Sequence, residues 1–530
     1  MSLLQITNLN LSIHGAPILK DVSLNADAGE IVAITGESGS GKSMTALAAM
    51  QLLPNGAVAR GGIMLDGQDI LETSEADLCA MRGNKIGMVF QEPMTALNPL
   101  HRIGDQVAET IRVHTQTPRA KAQHQAAETL ARVGLPPDDF PLSRYPHELS
   151  GGQRQRVVIA MAIARHPRVL IADEPTTALD VTTQAQILDL LVRLAREDDM
   201  ALLLITHDLA VVAQIADRLS VMRQGEIVEA GPTRDLLHNM QHPYTKALFR
   251  ASSPHVDLPA RPTPTPLLEA RNLVRSYALP RRRLFAKPQQ FDAVRGVSFT
   301  LSRGERLGLV GESGCGKSTL TRALLGLEPV QGGTITLAGQ QLYTHNSSQQ
   351  SDGPRMQVVF QDPFGSFNPR HTVGRLLVEP FHALDEKPAA TTIAEALTAV
   401  GLHPQDSDRY IHEFSGGQRQ RIAIARALIT RPDVIIFDEA VSALDVSVRA
   451  QILDLLATLC RTHNLTYLFI SHDLTVVRSV TDTVMVMQAG QIVEHGPTEA
   501  VFTNPQHKYT KTLLAAAPKL PDLEGVTSAG

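Results

Sequence analysis

Cysteine and aromatic residues are scarce in this chain, positive charge is not in excess, and no long apolar run occurs. The three cysteines, Cys79, Cys315 and Cys460, are odd in number and far apart in a chain of 530 residues. That spacing makes neither a disulfide framework nor a metal cage, which fits a reducing compartment. A formal net charge of -5 argues against non-specific nucleic-acid binding, because such affinity comes from clustered Lys and Arg that neutralise phosphates. Nothing approaches the roughly eighteen uninterrupted apolar residues of a membrane-crossing helix. The opening MSLLQITNLNLSI lacks a basic region ahead of an apolar core, so it does not read as a secretory signal. The expected location is the cytoplasm, with any membrane role supplied by a partner. With 43% apolar residues the chain can still bury sizeable cores.

What is present occurs twice. GESGSGKS, Gly36 to Ser43, returns as GESGCGKS, Gly311 to Ser318, each after a short apolar run (Ile31 to Thr35; Leu307 to Val310) and before a helix-like segment. In the first copy Gly36, Ser38, Gly39, Ser40 and Gly41 let the backbone wrap around phosphate oxygens; in the second Gly311, Ser313, Gly314, Cys315 and Gly316 do so. Lys42 and Lys317 then reach the β and γ phosphates of a nucleotide such as ATP. The hydroxyls of Ser43 and Ser318, with Thr319 next in line, start the helix, and the two serines are placed to hold Mg²⁺. Cys315 reads as a small residue in a tight loop, although a helix start can lower a thiol pKa.

The repeat runs through the whole chain. The phosphate loops are 275 residues apart and FQEP and FQDP, with Gln91 and Gln361, are 270 apart. From LSGGQ (Leu149 to Gln153) and FSGGQ (Phe414 to Gln418) onward the offset is 265, through Asp173 and Asp438, His207 and His472, and Tyr244 and Tyr509. Insertions therefore fall early in each half, and the later part reads as tightly packed. Eleven extra residues precede the second phosphate loop, around ALPRRRLFAKP, whose basic run Arg281 to Arg283 with Lys287 reads as a solvated loop. Between the halves SSPHVDLPARPTPTP, Ser252 to Pro266, reads as an extended, hydrogen-bond-free linker. The expected domains are 1–251, a linker 252–266, and 267–530. Periodicity predicts helices over Ala120 to Val133, Gln153 to Arg165 and Ala185 to Ala195, and buried strands over Val169 to Ala172 and Ala201 to Ile205. Short apolar strands alternating with helices indicate an α/β sheet covered on both faces.

Each half ends a buried strand on an acidic pair, in LIADEP and IIFDEA. Asp173 and Asp438 suit a magnesium ion; Glu174 and Glu439 suit the orientation and deprotonation of a water attacking the γ phosphate. A capped helix start explains such a pair equally well on its own. His207 and His472 follow a second buried strand in ITHDL and ISHDL, at the same register, and point to a γ-phosphate contact.

Together these residues resemble the ABC transporter nucleotide-binding domain, over nearly the whole chain and twice. The resemblance implies tandem P-loop NTPase domains, each a RecA-like core with an antiparallel β subdomain and a helical subdomain. Its most specific element is Ser150-Gly151-Gly152-Gln153 and Ser415-Gly416-Gly417-Gln418. In the family this element closes over the nucleotide of the opposite domain, implying a head-to-tail pair with two ATP molecules at the seam. The family pattern also makes Gln91 and Gln361 ligands of Mg²⁺ and sensors of the membrane partner, and gives Ala178-Leu179-Asp180 and Ala443-Leu444-Asp445 a role in communication. FQEPMTALNP, FQDPFGSFNP and the tails QHPYTKAL and QHKYTKTL resemble the dipeptide and oligopeptide importer ATPases, and their fusion is most similar to Yej-type importers of peptides and microcin C. The implied partners are two transmembrane permeases and a periplasmic peptide-binding protein, with no nucleic acid, at the cytoplasmic face of the bacterial inner membrane.

Two departures stand out. No cysteine follows Cys460, so the iron–sulfur cluster associated with some family tails is not expected. Tyr277 sits where the family stacks an aromatic on adenine, but the first half has Ile13, followed by His14. Base stacking is worth roughly 1 to 3 kcal/mol, so the first half is expected to bind ATP more weakly while both sites hydrolyse. Tandem ATPases that act on ribosomes typically carry a long charged helical linker, and DNA-repair relatives carry zinc modules or coiled coils; this chain has none of these features.

Overall fold

The computed structural model describes residues 2 to 521 except 178, 262, 279 to 289, 345, 346, 349 to 355, 363, 364, 385 and 386. The basic run Arg281 to Lys287 and Ala178 lie outside the described residues. Two compact units are found, one running to Ser252 and one spanning Ser253–Ala517.

The first unit holds two sheets. An antiparallel sheet orders its strands Ala16–Asp27, Ser2–Ile13, Ala57–Leu65 and Gln68–Asp69. A six-stranded sheet runs Glu226–Pro232, Arg218–Arg223, Ile31–Thr35, Ala201–Ile205, Val169–Asp173 and Ile86–Val89, parallel except for its first pair. Its central strands are buried throughout and apolar up to the polar Thr35 and Asp173 at their ends, because both faces are covered. Side chains alternate across a strand, and the packing follows that period. Val32, Ile34, Ile171 and Leu203 join the strands of the antiparallel sheet, including Leu4 and Ile6. Ile31, Leu170, Leu202 and Leu204 pack instead with helices Ile103–His114, Arg119–Arg132, Gly151–Ile163 and Val181–Glu197.

The second unit repeats the plan. Its six-stranded sheet is ordered Met356–Val359, Val434–Asp438, Tyr467–Ile470, Arg306–Val310, Thr483–Gln488 and Gln491–Pro497. The antiparallel sheet begins with Gln290–Ser302, Pro266–Ala278 and Gly332–Leu337. Asn8 and Asn272, paired by the sequence repeat, have φ of 49° and 48°. Each sits at a register shift in its strand.

The segment between the halves departs from the expected free linker. Ser252 closes helix Pro243–Ser252 and Pro266 opens strand Pro266–Ala278. Between them, Val256 is buried. The Pro259 carbonyl accepts from Arg306 Nη2 at 2.8 Å, the Asp257 carbonyl accepts from Arg461 at 2.7 Å, and Arg261 bridges Glu305 at 2.7 Å. Proline removes backbone donors but leaves carbonyls, and arginines of the second unit take them up. The segment belongs to that unit.

Candidate functional site

Each phosphate loop follows the central strand of its six-stranded sheet. Gly36 has φ of 152°, and a Cβ there would lie 2.1 Å from the Met222 carbonyl oxygen. Gly311 repeats this with φ of 155° and 2.3 Å to the Met487 oxygen. Gly41 and Gly316 start the helices Lys42–Ala49 and Lys317–Leu324 at φ of 108° and 112°, a region open to glycine. Lys42 Nζ donates to the Gly36 and Glu37 carbonyls at 2.8 Å, and Lys317 Nζ to Gly311 and Glu312 at 2.8 and 2.9 Å. Both ammonium groups are thus held over the loop. Ser38 and Gly39 are exposed at its crest, and Ser40 is buried beneath. Ser313 is exposed, whereas Cys315 is buried, and burial raises its thiol pKa more than Lys317 lowers it.

The acidic pair closes the neighbouring strand. Glu174 and Glu439 take left-handed backbone, φ 47° and 52°, uncommon for a residue with a side chain. The Glu174 and Glu439 amides donate at 2.9 Å to Ile205 and Ile470, on the strands that lead to the histidines. His207 Nδ1 lies 3.3 Å from Glu174 Oε1, and His472 Nδ1 lies 3.6 Å from Glu439 Oε1. Gln91 Nε2 and Thr177 Oγ1 both donate to Glu174 Oε2 at 3.0 Å. Gln361 is exposed at the equivalent strand end.

The two carboxyls of each pair are pushed in opposite directions. Burial raises Asp173, against the Ser43 hydrogen bond, and raises Asp438 to about 6, with Glu439 adding to the effect. Burial would raise Glu174 too, but His207, Thr177 and Lys42 outweigh it and bring it down to about 2. His472 is the main cause lowering Glu439.

Asp173 Oδ1 is buried without a hydrogen-bond partner among the described residues, while its carboxyl is bonded to Ser43. A hydroxyl and a carboxylate with a spare oxygen fit Mg²⁺, which takes hard oxygens and draws the rest of its shell from phosphates and water. Among the described residues no three His, Cys, Asp or Glu side chains cluster as a metal cage.

The LSGGQ-type elements start helices Gly151–Ile163 and Gly416–Leu428. Ser150 Oγ accepts from Gln153 N at 3.3 Å while Gln153 Oε1 accepts from Ser150 N at 2.9 Å; Ser415 and Gln418 match at 3.4 and 3.0 Å. These are capping boxes. A Cβ on Gly152 would meet Thr183 Cγ2 at 2.3 Å and one on Gly417 would meet Val448 Cγ1 at 2.5 Å, so the second glycine serves packing within its own unit. Gly416 faces open space, and Gly151 would make only ordinary contact. Asp180 caps helix Val181–Glu197 through Thr183 N at 3.0 Å.

The base-side residues differ. Tyr277 Oη bonds to Glu328 and lies 3.5 Å from Thr319 Oγ1, and the Arg275 guanidinium sits 4.6 Å from its ring centre. Ile13 is half-buried at the end of strand Ser2–Ile13, paired with Ala57.

Sequence reasoning missed two supports of the phosphate loop. The Glu37 amide donates to Tyr244 Oη at 3.0 Å and the Glu312 amide to Tyr509 Oη at 2.9 Å. The signal was available: both tyrosines share the constant offset of the site residues.

Comparison with known proteins agrees with this geometry. The ABC transporter family model matches residues 19–177 and 294–442, and the oligopeptide/dipeptide transporter C-terminal region matches 228–273 and 493–528. The glutathione import ATP-binding protein GsiA of Escherichia coli (strain K12) is 48% identical over 98% of this chain and 90% of its own length. The Shigella flexneri protein of the same name is 47% identical over the same shares. A solved dimeric post-hydrolysis cassette, MJ0796 with ADP and Pi, covers 44% of this chain and 99% of its own at 31% identity and a TM-score of 0.39. Two phosphate loops, two acidic pairs and two transporter tails, matched along nearly the full length of such relatives, place the chain in the ABC transporter family, as an ATP-binding and ATP-hydrolysing subunit of the oligopeptide/dipeptide import class that works with membrane permeases.

Proposed function

We propose that both units hydrolyse ATP to drive import of a short peptide, glutathione being the first candidate because it is the cargo named for the relatives. Microcin C rests on the sequence resemblance alone. Two permeases and a periplasmic binding protein complete the machine, at the cytoplasmic face of the inner membrane; no helix among the described residues is long and apolar enough to cross it.

One observation carries this reading: in each unit the loop lysine, the Asp–Glu pair and the histidine converge around one loop. The loop amides and Lys42 or Lys317 bind the triphosphate. Ser43, Gln91 and Asp173, or Ser318, Gln361 and Asp438, hold Mg²⁺, which when bound neutralises charge on the β and γ phosphates. Glu174 and Glu439 orient the attacking water. A carboxylate as acidic as Glu174 is a poor base, and the negative charge of a nearby γ phosphate would raise it. The base is thereby armed when substrate is seated. Gly416 has open space where a side chain would go and Gly151 makes only ordinary contact, which leaves room for the phosphate contact that the family resemblance implies for the LSGGQ-type elements.

The double variant Glu174→Gln with Glu439→Gln is expected to keep ATP binding and to lose roughly 10²-fold or more in kcat, the scale of a missing general base. Wild-type turnover in that variant would refute the assignment.

A further inference from the structure

The second unit contains a cavity of about 310 Å³ where helices Ala390–Ala399, Gly416–Leu428 and Val446–His463 all end. Its floor includes Ala399, Leu428 and Leu465, and its rim carries Glu395, Arg431, His463 and the ion pair of Arg303 with Asp433 at 3.2 Å. That volume lies at the small end of the range for ligand sites, roughly 300 to 1,000 Å³.

The corresponding corner of the first unit carries an ion pair. Arg156 Nη1 donates to the Val133 carbonyl at 2.6 Å and Arg421 Nη1 to the Val400 carbonyl at 2.8 Å, so the helix ends correspond. The residue before each is Arg132 in one unit and Ala399 in the other. Arg132 grips Asp198 through both oxygens, at 2.6 and 2.9 Å, with Glu197 at 3.4 Å. At the constant offset of 265, Asp198 becomes His463 and Glu197 becomes Thr462. The second unit therefore has neither partner of this ion pair.

The exposed rim has a definite chemistry. Helix C-termini carry partial negative charge, and Gly416–Leu428 and Val446–His463 both bring theirs to the cavity. Glu395 adds a full negative charge, and neither it nor Arg431 has an ion pair among the described residues. We propose that this cavity binds a small zwitterion, an α-amino acid or dipeptide, with its ammonium toward Glu395 and the helix ends and its carboxylate on Arg431.

Calorimetric titration of the full chain with dialanine, without nucleotide, tests this. Saturable binding is expected. N-acetyl-dialanine and dialanine amide should each bind roughly tenfold more weakly, the scale of one unmade charge-assisted hydrogen bond. Ala399→Arg, which places a long side chain on the cavity wall, should abolish binding and leave ATP hydrolysis unchanged. The surface variant Glu395→Gln should weaken dialanine but not its N-acetyl derivative, and it serves if the arginine variant fails to fold. Absence of saturable heat, equal binding of the blocked derivatives, or undiminished binding to Ala399→Arg would overturn the proposal.

Discussion

Adjacent carboxyls with opposite environments dominate the chemistry at the residue scale. Asp438 has an ordinary pKa of 3.8 and is raised to about 6 in the folded chain, chiefly by burial. A raised acid makes the fold bind a proton more tightly than the unfolded chain does, so its contribution is most favourable below about pH 4 and is lost as pH climbs toward 6. Asp438→Asn should therefore stabilise the nucleotide-free protein at pH 7 to 8, on the order of 2 kcal/mol, and the gain should vanish near pH 4. Denaturant midpoints across that range measure it. Mg²⁺ with ATP should reverse the sign, because the carboxylate is then wanted ionised. Tyr244 offers a second test. Tyr244→Phe removes the acceptor of the Glu37 amide, a loss of about 1 kcal/mol or roughly fivefold in affinity. ATP binding at the first site, measured in a Lys317→Ala background, should weaken by that factor, and an unchanged Kd would show the hydroxyl to be incidental. The phosphate-loop motif pointed to Lys42 and Lys317, whereas the acidic pairs, which on their own read equally well as capped helix starts, joined the candidate site through the repeat and the family resemblance. The left-handed backbone of Glu174 and Glu439 was not legible, because only the bond to the neighbouring strand imposes it.

Among elements, the helices Gly151–Ile163 and Gly416–Leu428 separate packing from function within one motif. Gly417 is small because the helix bearing Val448 lies against it, whereas Gly416 has open space where a side chain would go. Gly417→Ala should force that helix to shift and destabilise the second unit, by about 1 to 3 kcal/mol if it behaves as an overpacked site. Gly416→Ala should melt like wild type and yet hydrolyse ATP markedly more slowly, since the added methyl projects toward whatever approaches from outside. Thermal melts and ATPase assays of the two variants together discriminate these roles. The elements themselves were largely readable: strand Ala201–Ile205 lies where its apolar run placed it, and helix Arg119–Arg132 is one residue from its expected bounds. Helix Val181–Glu197 starts four residues earlier than its apolar period suggested, because Asp180 caps it. Its cap is local chemistry, and its first turn carries too few apolar residues to show in the period.

For the whole molecule, the family resemblance implies that the LSGGQ-type serine of one unit approaches the phosphate loop of the other, and cross-linking tests that implication. A chain free of native cysteines and carrying Ser38→Cys and Ser415→Cys, in the Glu174→Gln and Glu439→Gln background, should cross-link through a short bifunctional reagent when ATP and Mg²⁺ are added. Cross-linking that ignores nucleotide would count against pairing through these surfaces. The sequence by itself determined the duplication, the phosphate loops and the sheet strands, since each depends on local rules: glycine freedom, apolar period and constant offset. Tertiary structure alone decided what covers and what abuts. It showed that the segment from Asp257 to Arg261 is held by arginines of the second unit, that Tyr244 and Tyr509 brace the loops, and that Ala399 lines a cavity at the position where the first unit has the Arg132–Asp198 ion pair. Those facts join residues far apart in the chain, and a contact between distant residues has no period or spacing by which a sequence announces it.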